Sequence, residues 1–352
     1  MEPDPLSPEE LATLLPTLWR AATEDYQGDG FTKAAVVEAF AESGRFEEAR
    51  TLLGTPMWMS WKPLGAAYLI EALARAGRIG EADGLRGELK EFGADALFQG
   101  RIVQGLVSAG KLADALTRLH QFSPDDIPFF YEVFPRLHCL DALLRSDDPK
   151  AARAMLARIR KGRERHEKCL GTAWMALGLH AWGETEEART TAARAEKQAT
   201  LEDLAWVIGT YEAMALKEEA GRCRQKWEKA IGARWMDSSG RDSLRFTMTR
   251  AMANLRRYDE AMDQAGSIEK GWAAAKAYGC LAYLMFNAGE RERFPTAFEK
   301  AYVAGEALEG AERVRSRADR AVLMAWVQRL GLNVSCVTPI LRASLTLGRV
   351  PE

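Results

Sequence analysis

The sequence of 352 residues carries 48 Lys and Arg against 50 Asp and Glu, a formal net charge of −2. This balance leaves no bulk excess of positive charge with which to hold nucleic acid or an anionic membrane. The five cysteines are odd in number and far apart, which is typical of a reducing compartment. No run approaches the roughly 18 apolar residues that a membrane span requires. We therefore expect a cytoplasmic protein with no membrane span.

The first predicted element is a helix that begins at Ser7. Ser7, Pro8 and Glu10 fit the N-cap, N1 and N3 positions of a capping box. Leucines then recur at helical spacing from Leu11 to Leu18, and two glycines within 28–30 make continuation of the helix costly. Residues 1–27 are therefore predicted to form an N-terminal capping helix.

A hexapeptide pattern repeats after this helix. Gly44–Ala49, Gly77–Ala82 and Gly110–Ala115 each place a glycine, a basic residue, an apolar residue, an acid and an alanine at a period of 33 residues. Aligning the whole chain on the last position of this corner gives eight copies, at Ala49, Ala82, Ala115, Ala152, Ala188, Ala220, Ala261 and Phe294. The intervals are 33, 33, 37, 36, 32, 41 and 33 residues. The longer intervals predict loop insertions at 123–128 and 235–240.

The residues before each corner support this register. Nine residues before it, all eight copies hold a large apolar residue: Phe40, Leu73, Leu106, Leu143, Leu179, Tyr211, Met252 and Met285. Four residues earlier, on the same helical face, stand Val36, Leu69, Ile102, Cys139, Met175, Val207, Met248 and Leu281. The position just before the large apolar row is mostly small, as close contact between helices demands. Each copy is therefore predicted to be a helix, a tight turn and an antiparallel helix.

The glycine of the corner has a conformational reason. Glycine adopts the left-handed backbone conformation that ends a helix at little steric cost. We expect this conformation at Gly44, Gly77, Gly110, Gly183 and Gly289. The acids that follow lie in the first turn of the next helix, near its positive end.

With these corners and apolar rows, the chain resembles the tetratricopeptide and pentatricopeptide repeat families over about residues 28–300. The segment Ala66–Ala82, AAYLIEALARAGRIGEA, is most similar to them. The resemblance implies an all-α fold, a right-handed α-α superhelix of about eight helical hairpins. Residues 301–352 are then expected to form C-terminal capping helices, one around 309–330 and one near 338–346.

Two motifs could in principle form a nucleotide site or a metal site. Gly105–Leu112 matches most of a phosphate-binding loop, but Leu112 replaces the hydroxyl that would bind magnesium, and no strand precedes it. His166 and Cys169 share a predicted helix, and His138 lies beside Cys139, but no paired Cys-x-x-Cys or His-x-x-x-His element accompanies them. We therefore expect no cofactor, no metal site and no catalytic residue.

In tetratricopeptide-like stacks the first helix of each hairpin lines a concave groove. By this resemblance the groove would carry polar residues in its first half: Glu38, Glu42, Glu71, Arg75, Gln104, Asp141 and Arg145. We predict that they bind a basic or polar segment of a partner protein or peptide. The competing interpretation is a solvated helix face whose acids are balanced by nearby arginines. Trp58 and Trp61 form a second candidate contact, although tryptophan also packs well between helices.

The densest positive stretch of the chain lies within 153–168 and suggests a different function. Its basic residues are Arg160, Lys161, Arg163, Arg165 and Lys168. A regulatory or nucleic-acid-binding protein is one alternative, although pentatricopeptide proteins read RNA bases near the start of the first helix. Those positions here hold Ala34, Ala67, Gly100 and Leu137, so base reading is not expected. An enzyme with acids in the groove is a second alternative. The sequence favours a non-enzymatic protein-interaction scaffold or adaptor.

Overall fold

The described part of the computed structural model is entirely helical, without strands. It covers residues 8–25, 30–55, 61–127, 134–233, 236–254, 256–287, 290 and 293–329. The helices are α1 Pro8–Arg20, α2 Gly30–Glu42, α3 Phe46–Gly54, α4 Lys62–Arg75, α5 Ile79–Glu88, α6 Asp95–Ser108, α7 Leu112–Leu119, α8 Pro135–Arg145, α9 Pro149–Lys161, α10 Arg165–Ala181, α11 Thr185–Gln198, α12 Leu204–Ala213, α13 Lys217–Ile231, α14 Ser238–Asn254, α15 Tyr258–Gly266, α16 Gly271–Asn287, α17 Phe294–Glu306 and α18 Gly310–Arg329. A π-helical turn follows α1 at Ala21–Asp25, and short 3₁₀ turns lie at Lys90–Phe92 and Pro124–Asp126.

The chain divides into two compact units. Among the described residues, the first unit extends to Pro135 and resumes from Glu299 to Arg329, and the second is Arg136–Phe298. In the first unit α2 packs on α4 and α4 on α6, while α3, α5 and α7 each pack back on the helix before them. In the second unit α10, α12, α14 and α16 pack on one another in order, and α11, α13 and α15 return against them. Each unit is thus built of helix pairs whose first helices are neighbours.

A shared hydrogen bond confirms the predicted register at the corners. In all eight copies the N–H four residues before the corner position donates to the carbonyl of the large apolar residue five positions earlier, from Arg45 to Phe40 (2.9 Å) through Glu290 to Met285 (2.9 Å). This bond closes the helix end in the manner of a Schellman motif, which satisfies a carbonyl that the helix leaves open. The corner geometry therefore recurs along the chain although the residue types change.

The left-handed residue of the corner is confirmed where the structure describes it. Gly44, Gly77, Gly110 and Gly183 have φ of 78°, 81°, 74° and 79°, while Gly289 lies outside the described residues. The remaining corners place non-glycine residues at the same position, with φ of 54° at Asp147, 59° at Ala215 and 57° at Arg256. A Cβ in this conformation costs roughly 1–2 kcal/mol. The structure thus imposes the turn even where the sequence offers no glycine.

The predicted apolar rows are confirmed as core. Every member of the row at Phe40, Leu73 and their equivalents is at most 4 % exposed, and every member of the row at Val36 and its equivalents at most 1 %. The row of small residues was expected where helices make close contact. Gly105 in α6 shows such a contact, because an added Cβ would lie 2.6 Å from the backbone oxygen of Glu71 in α4. Apolar burial and close backbone approach together hold neighbouring first helices in place.

The C-terminal helix α18 packs against the first helices of the chain. Its apolar residues recur at helical spacing, and Val314, Ala318 and Ala321 are buried. Within the first unit it packs on α1 and α2. The helix predicted around 309–330 is therefore present, and the structure shows its partners to be helices nearly 300 residues earlier. The helix predicted near 338–346 lies outside the described residues.

The two predicted insertions differ in outcome. Ser123 and the turn Pro124–Asp126 connect α7 to the following segment without an α-helix, as expected. At 235–240 the prediction of a loop was partly wrong, because α14 already begins at Ser238. Asp237 explains the early start: its Oδ1 accepts the backbone N–H of Gly240 at 2.7 Å, which is the hydrogen bond of an N-cap.

Candidate functional site

Five of the seven polar residues predicted to line a groove, from Glu38 to Gln104, lie on consecutive first helices of the first unit. Arg75 of α4 donates to Glu42 of α2 at 2.5 Å, and Arg101 of α6 donates to Glu71 of α4 at 2.7 Å. Each pair therefore joins one first helix to the next. We call the two pairs, together with Glu38 and Gln104, the polar ladder.

The ladder is largely withdrawn from solvent. Side-chain exposure is 13 % for Arg75 and 7 % for Glu42, and 5 % for Arg101 and 12 % for Glu71. Buried charges are stable only when they are paired and hydrogen-bonded, because removal from water carries a large desolvation cost. The competing interpretation expected nearby arginines to balance the acids of a solvated helix face. The acids are paired in this way, but their side chains are largely buried and not solvated.

Arg101 is the centre of the ladder. Its guanidinium donates to Glu71, lies 3.4 Å from the Gln104 side-chain oxygen and stands over the Tyr68 ring at 5.1 Å. Burial alone would lower the pKa of Arg101, but the charge of Glu71, its hydrogen bond with Arg101 and the charge of Glu38 contribute to raising that pKa above its ordinary value. Arg101 is charged at any physiological pH and is held by acids of both preceding first helices.

The sequence did not identify Arg101 as a site residue, although a signal was present. Arg101 stands one helical turn before Gln104, so the two share a face. Gln104 itself is fully buried, and its backbone oxygen accepts the Ser108 hydroxyl at 2.6 Å. A scan one turn upstream of the predicted polar row would have found the arginine that binds Glu71.

The last two predicted groove residues belong to α8 in the second unit. Arg145 lies 3.0 Å from Asp141, one turn away on the same helix. Asp141 is 4 % exposed and Arg145 40 % exposed. This pair is an intrahelical one, unlike the pairs of the ladder, which join different helices.

Of the two candidate tryptophans, the structure describes one. Trp58 lies outside the described residues. Trp61 caps the start of α4 and is half-buried, with its ring 4.9 Å from that of Phe31. A Cβ added at Gly30 would meet Trp61 at 2.9 Å, so Trp61 covers the start of α2 closely. Phe31 is 39 % exposed and lies under the guanidinium of Arg315 in α18 at 5.0 Å.

The basic segment is split between two helix ends. Arg160 and Lys161 end α9, Arg163 lies in the turn, and Arg165 and Lys168 begin α10. Lys161, Arg163 and Arg165 are exposed, whereas Arg160 and Lys168 are half-buried. Cations in the last turn of a helix are favourable because they lie near its negative end.

One acid of this segment, Glu167, forms a buried ion pair. Glu167 in α10 accepts hydrogen bonds from Arg136 of α8 through both carboxylate oxygens, at 3.0 and 2.5 Å. A Cβ at Gly162 would meet the Arg136 guanidinium at 2.6 Å. The Arg136 guanidinium therefore lies against Gly162 in the α9–α10 turn, and a larger residue there would have to displace it.

The histidine and cysteine candidates do not form a metal centre with one another. His166 Nδ1 is hydrogen-bonded to Oδ1 of Asp203, which is fully buried and also accepts the backbone N–H of Thr200 at 2.8 Å. The Cys169 thiol donates to the Ala195 carbonyl at 3.4 Å. Within the described ranges, no group of three or more His, Cys, Asp or Glu side chains could hold a metal ion.

Burial keeps the thiols protonated. Desolvation raises the pKa of Cys139 to about 12, and that of Cys223 to about 12, with the charge of Glu196 adding to the effect. The pKa of Cys169 is likewise raised, first by burial and then by the charge of Asp203. The thiolate is the reactive form of cysteine, so these three side chains act as small apolar residues in the core.

Comparison with protein-family models and with curated proteins produced no match for this chain. Among the described residues, none of the helices has both the length and the apolar character needed to cross a membrane.

Proposed function

We propose that this chain is a non-enzymatic protein-interaction scaffold, a tetratricopeptide-like right-handed solenoid of about eight helical hairpins. In this proposal the polar ladder recognises a basic or polar segment of a partner protein or peptide. The observation that carries the proposal is the pairing of charges between consecutive first helices, with Glu42 bound to Arg75 and Glu71 to Arg101.

Stability alone gives little reason to keep these charges. Replacing a buried ion pair by well-packed apolar residues of similar volume is often neutral, or stabilising by roughly 1–4 kcal/mol. The rows beside the ladder are already apolar and buried, so apolar residues would suit this face of α2, α4 and α6. A function that uses the charges is a reason for their presence, and recognition of a partner is the function that helical-repeat folds commonly serve.

The pairing also shows how the proposal must be tested. Reversing Glu71 alone would place a positive charge beside the buried Arg101 and would unfold the site by repulsion. Exchanging the two members of each pair keeps the internal attraction and inverts the pattern that a partner meets. The test variant therefore combines Glu42→Arg with Arg75→Glu and Glu71→Arg with Arg101→Glu.

The matched control exchanges an exposed pair of second helices in the same unit. Arg50 of α3 and Glu88 of α5 lie 2.5 Å apart and are 48 % and 53 % exposed. Arg50→Glu with Glu88→Arg again keeps a pair between neighbouring repeats but leaves the first helices untouched. Circular dichroism and thermal unfolding first establish that both variants fold.

Partner binding is then compared by quantitative cross-linking and mass spectrometry in lysate of the source cells, with the wild-type protein and each variant as bait. We expect the ladder exchange to remove partners that wild type and the control exchange both retain. An identical set of partners for the folded ladder variant would disprove recognition by the ladder. If no bait enriches any protein, the scaffold function itself fails.

A further inference from the structure

We propose that the second unit carries a separate docking surface for an acidic segment of a partner protein, formed where the ends of α9 and α11 meet the start of α10. We call it the cationic surface. It uses residues on other helices than the polar ladder, so it stands whether or not the ladder binds a partner.

Tertiary contacts bring these three helix ends together. Arg165, at the start of α10, donates from Nε to the backbone oxygen of Gln198, the last residue of α11, at 2.8 Å. The helix α10 packs against both α9 and α11. Arg160 near the end of α9 lies close enough to Arg194 of α11 that the second positive charge acts on the first.

The surface joins cations that are separate in the sequence. Its seven basic residues are Arg160, Lys161, Arg163, Arg165, Lys168, Arg194 and Lys197. Arg194 and Lys197 belong to the next helix pair, so the basic segment recognised in the sequence is only part of it. Lys161, Arg163, Arg165, Arg194 and Lys197 are exposed.

Four acids of the same helices are bound by cations outside the surface. Glu167 binds Arg136, and Glu187 and Glu184 bind Arg153 nearer the start of α9. Glu196 accepts hydrogen bonds from Lys226 at 3.0 Å and from the Tyr211 hydroxyl at 2.8 Å. Of these carboxylates, Glu187 also acts on Arg160 of the surface, and Glu164 in the α9–α10 turn adds one acid among the seven cations. The surface therefore keeps an excess of positive charge.

The helix ends account for only part of the positive charge. Each helix C-terminus is equivalent to roughly half a negative charge, so two of them offset about one cation of the seven. The pKa of Arg160 is lowered by partial burial and by Arg194, although Glu187 opposes the shift. Its Nε is buried without a hydrogen-bond partner among the described residues. Positive charges thus lie close together at this place, and a carboxylate bound there would reduce their mutual repulsion.

The chemistry of the surface favours an acidic peptide over single-stranded nucleic acid. Proteins that bind single strands use aromatic rings on which bases stack. In residues 149–203 the tryptophans are Trp174 in the middle of α10 and Trp182 after its far end, and no Phe or Tyr occurs. Exposed guanidinium and ammonium groups without such rings suit carboxylates, which arginine binds in a bidentate manner.

The experiment measures fluorescence anisotropy of a labelled peptide rich in Asp and Glu, titrated with the full chain. The test variant is Lys161→Gln, Arg194→Gln and Lys197→Gln, which removes three exposed charges from the surface. The matched control is Lys150→Gln, Lys217→Gln and Lys229→Gln, which removes three exposed charges from other places on α9 and on α13. Both variants are checked for folding by circular dichroism.

We expect the wild type to bind the acidic peptide, the test variant to bind it about tenfold more weakly, and the control to stay within about twofold. Binding should weaken as salt is raised from 50 to 200 mM, since exposed charges are screened. A scrambled Lys-rich peptide and a single-stranded RNA are the comparison ligands. The proposal is overturned if the acidic peptide does not bind, if both variants weaken equally, or if only the RNA depends on these three residues.

Discussion

Glycine-to-alanine substitution should have opposite effects at two positions of the first unit. At Gly105 in α6 an added Cβ would lie 2.6 Å from the Ala74 Cβ, 2.6 Å from the Glu71 backbone oxygen and 3.0 Å from the Arg75 backbone nitrogen. At Gly84 in α5 nothing lies within 4 Å of the added Cβ. The first position is a contact between helices, and the second is an exposed helix surface.

The magnitudes follow from two effects of opposite sign. Alanine is favoured over glycine inside a helix by roughly 0.8–1 kcal/mol, so Gly84→Ala should raise the free energy of unfolding by about that amount. Gly105→Ala gains the same propensity but forces α6 away from the α4 backbone, which cannot rotate aside as a side chain can. Overpacking costs about 1–3 kcal/mol and sometimes more. The two contacts at 2.6 Å place the cost in the upper part of this range, so we expect a net loss of about 1–2 kcal/mol, increased by any displacement of Arg101 from Glu71.

Urea denaturation of the full chain, followed by far-UV circular dichroism, measures both effects by linear extrapolation. Both glycines lie in the first unit, so the same transition reports both substitutions even if the two units unfold separately. The reasoning is refuted if Gly105→Ala is as stable as the wild type or shifts the transition in the same direction as Gly84→Ala.

Three further substitutions test other parts of the fold. Ala215→Gly should raise the free energy of unfolding by about 0.5–1 kcal/mol, measured by urea denaturation, because φ is 59° at this exposed corner. Glu167→Ala should lower it by about 3–5 kcal/mol in the same assay, since Arg136 loses the carboxylate that binds it in a buried site. Hydrogen bonds from Arg317 lower the pKa of Glu306 below its ordinary 4.5, so this pair stabilises the protein above that pH and the contribution is lost as the pH falls through the folded-state pKa. Glu306→Gln should therefore lower the melting temperature at pH 7, and this effect should be smaller at pH 3.

Each of these substitutions has an outcome that would contradict it. Loss of stability in Ala215→Gly would mean that the left-handed corner carries no strain. For the ion pair, Arg136→Met combined with Glu167→Met should restore most of the stability, and a loss below about 1 kcal/mol in Glu167→Ala would show that the pair matters little. For Glu306, an effect of the substitution that is equal at both pH values would show that its charge is not the cause.

The candidate surfaces could be predicted only in part. The polar residues from Glu38 to Gln104 lie on the consecutive first helices α2, α4 and α6, and helical spacing decides which residues of one helix share a face. The competing interpretation expected nearby arginines to balance the acids, but it did not identify Arg101, which binds Glu71 from 30 residues away on another helix. Whether this face recognises a partner, and whether the chain is a tetratricopeptide-like solenoid, remain predictions. The cationic surface was recognised only in its 160–168 portion, since Arg194 and Lys197 reach it through the packing of α10 on α11.

The sequence by itself determined the helix pairs, the positions of the corners and the buried rows, because each depends on residues within one turn or one hairpin of each other. A shared corner hydrogen bond and burial of both apolar rows confirm this local reasoning. Two features appear only in the tertiary structure: the left-handed conformation at Ala215 and Arg256, where no glycine marks the corner, and the docking of α18 on α1 and α2. The docking depends on the packing free energy of elements that are distant in sequence, and helical spacing carries no information about which faces will meet.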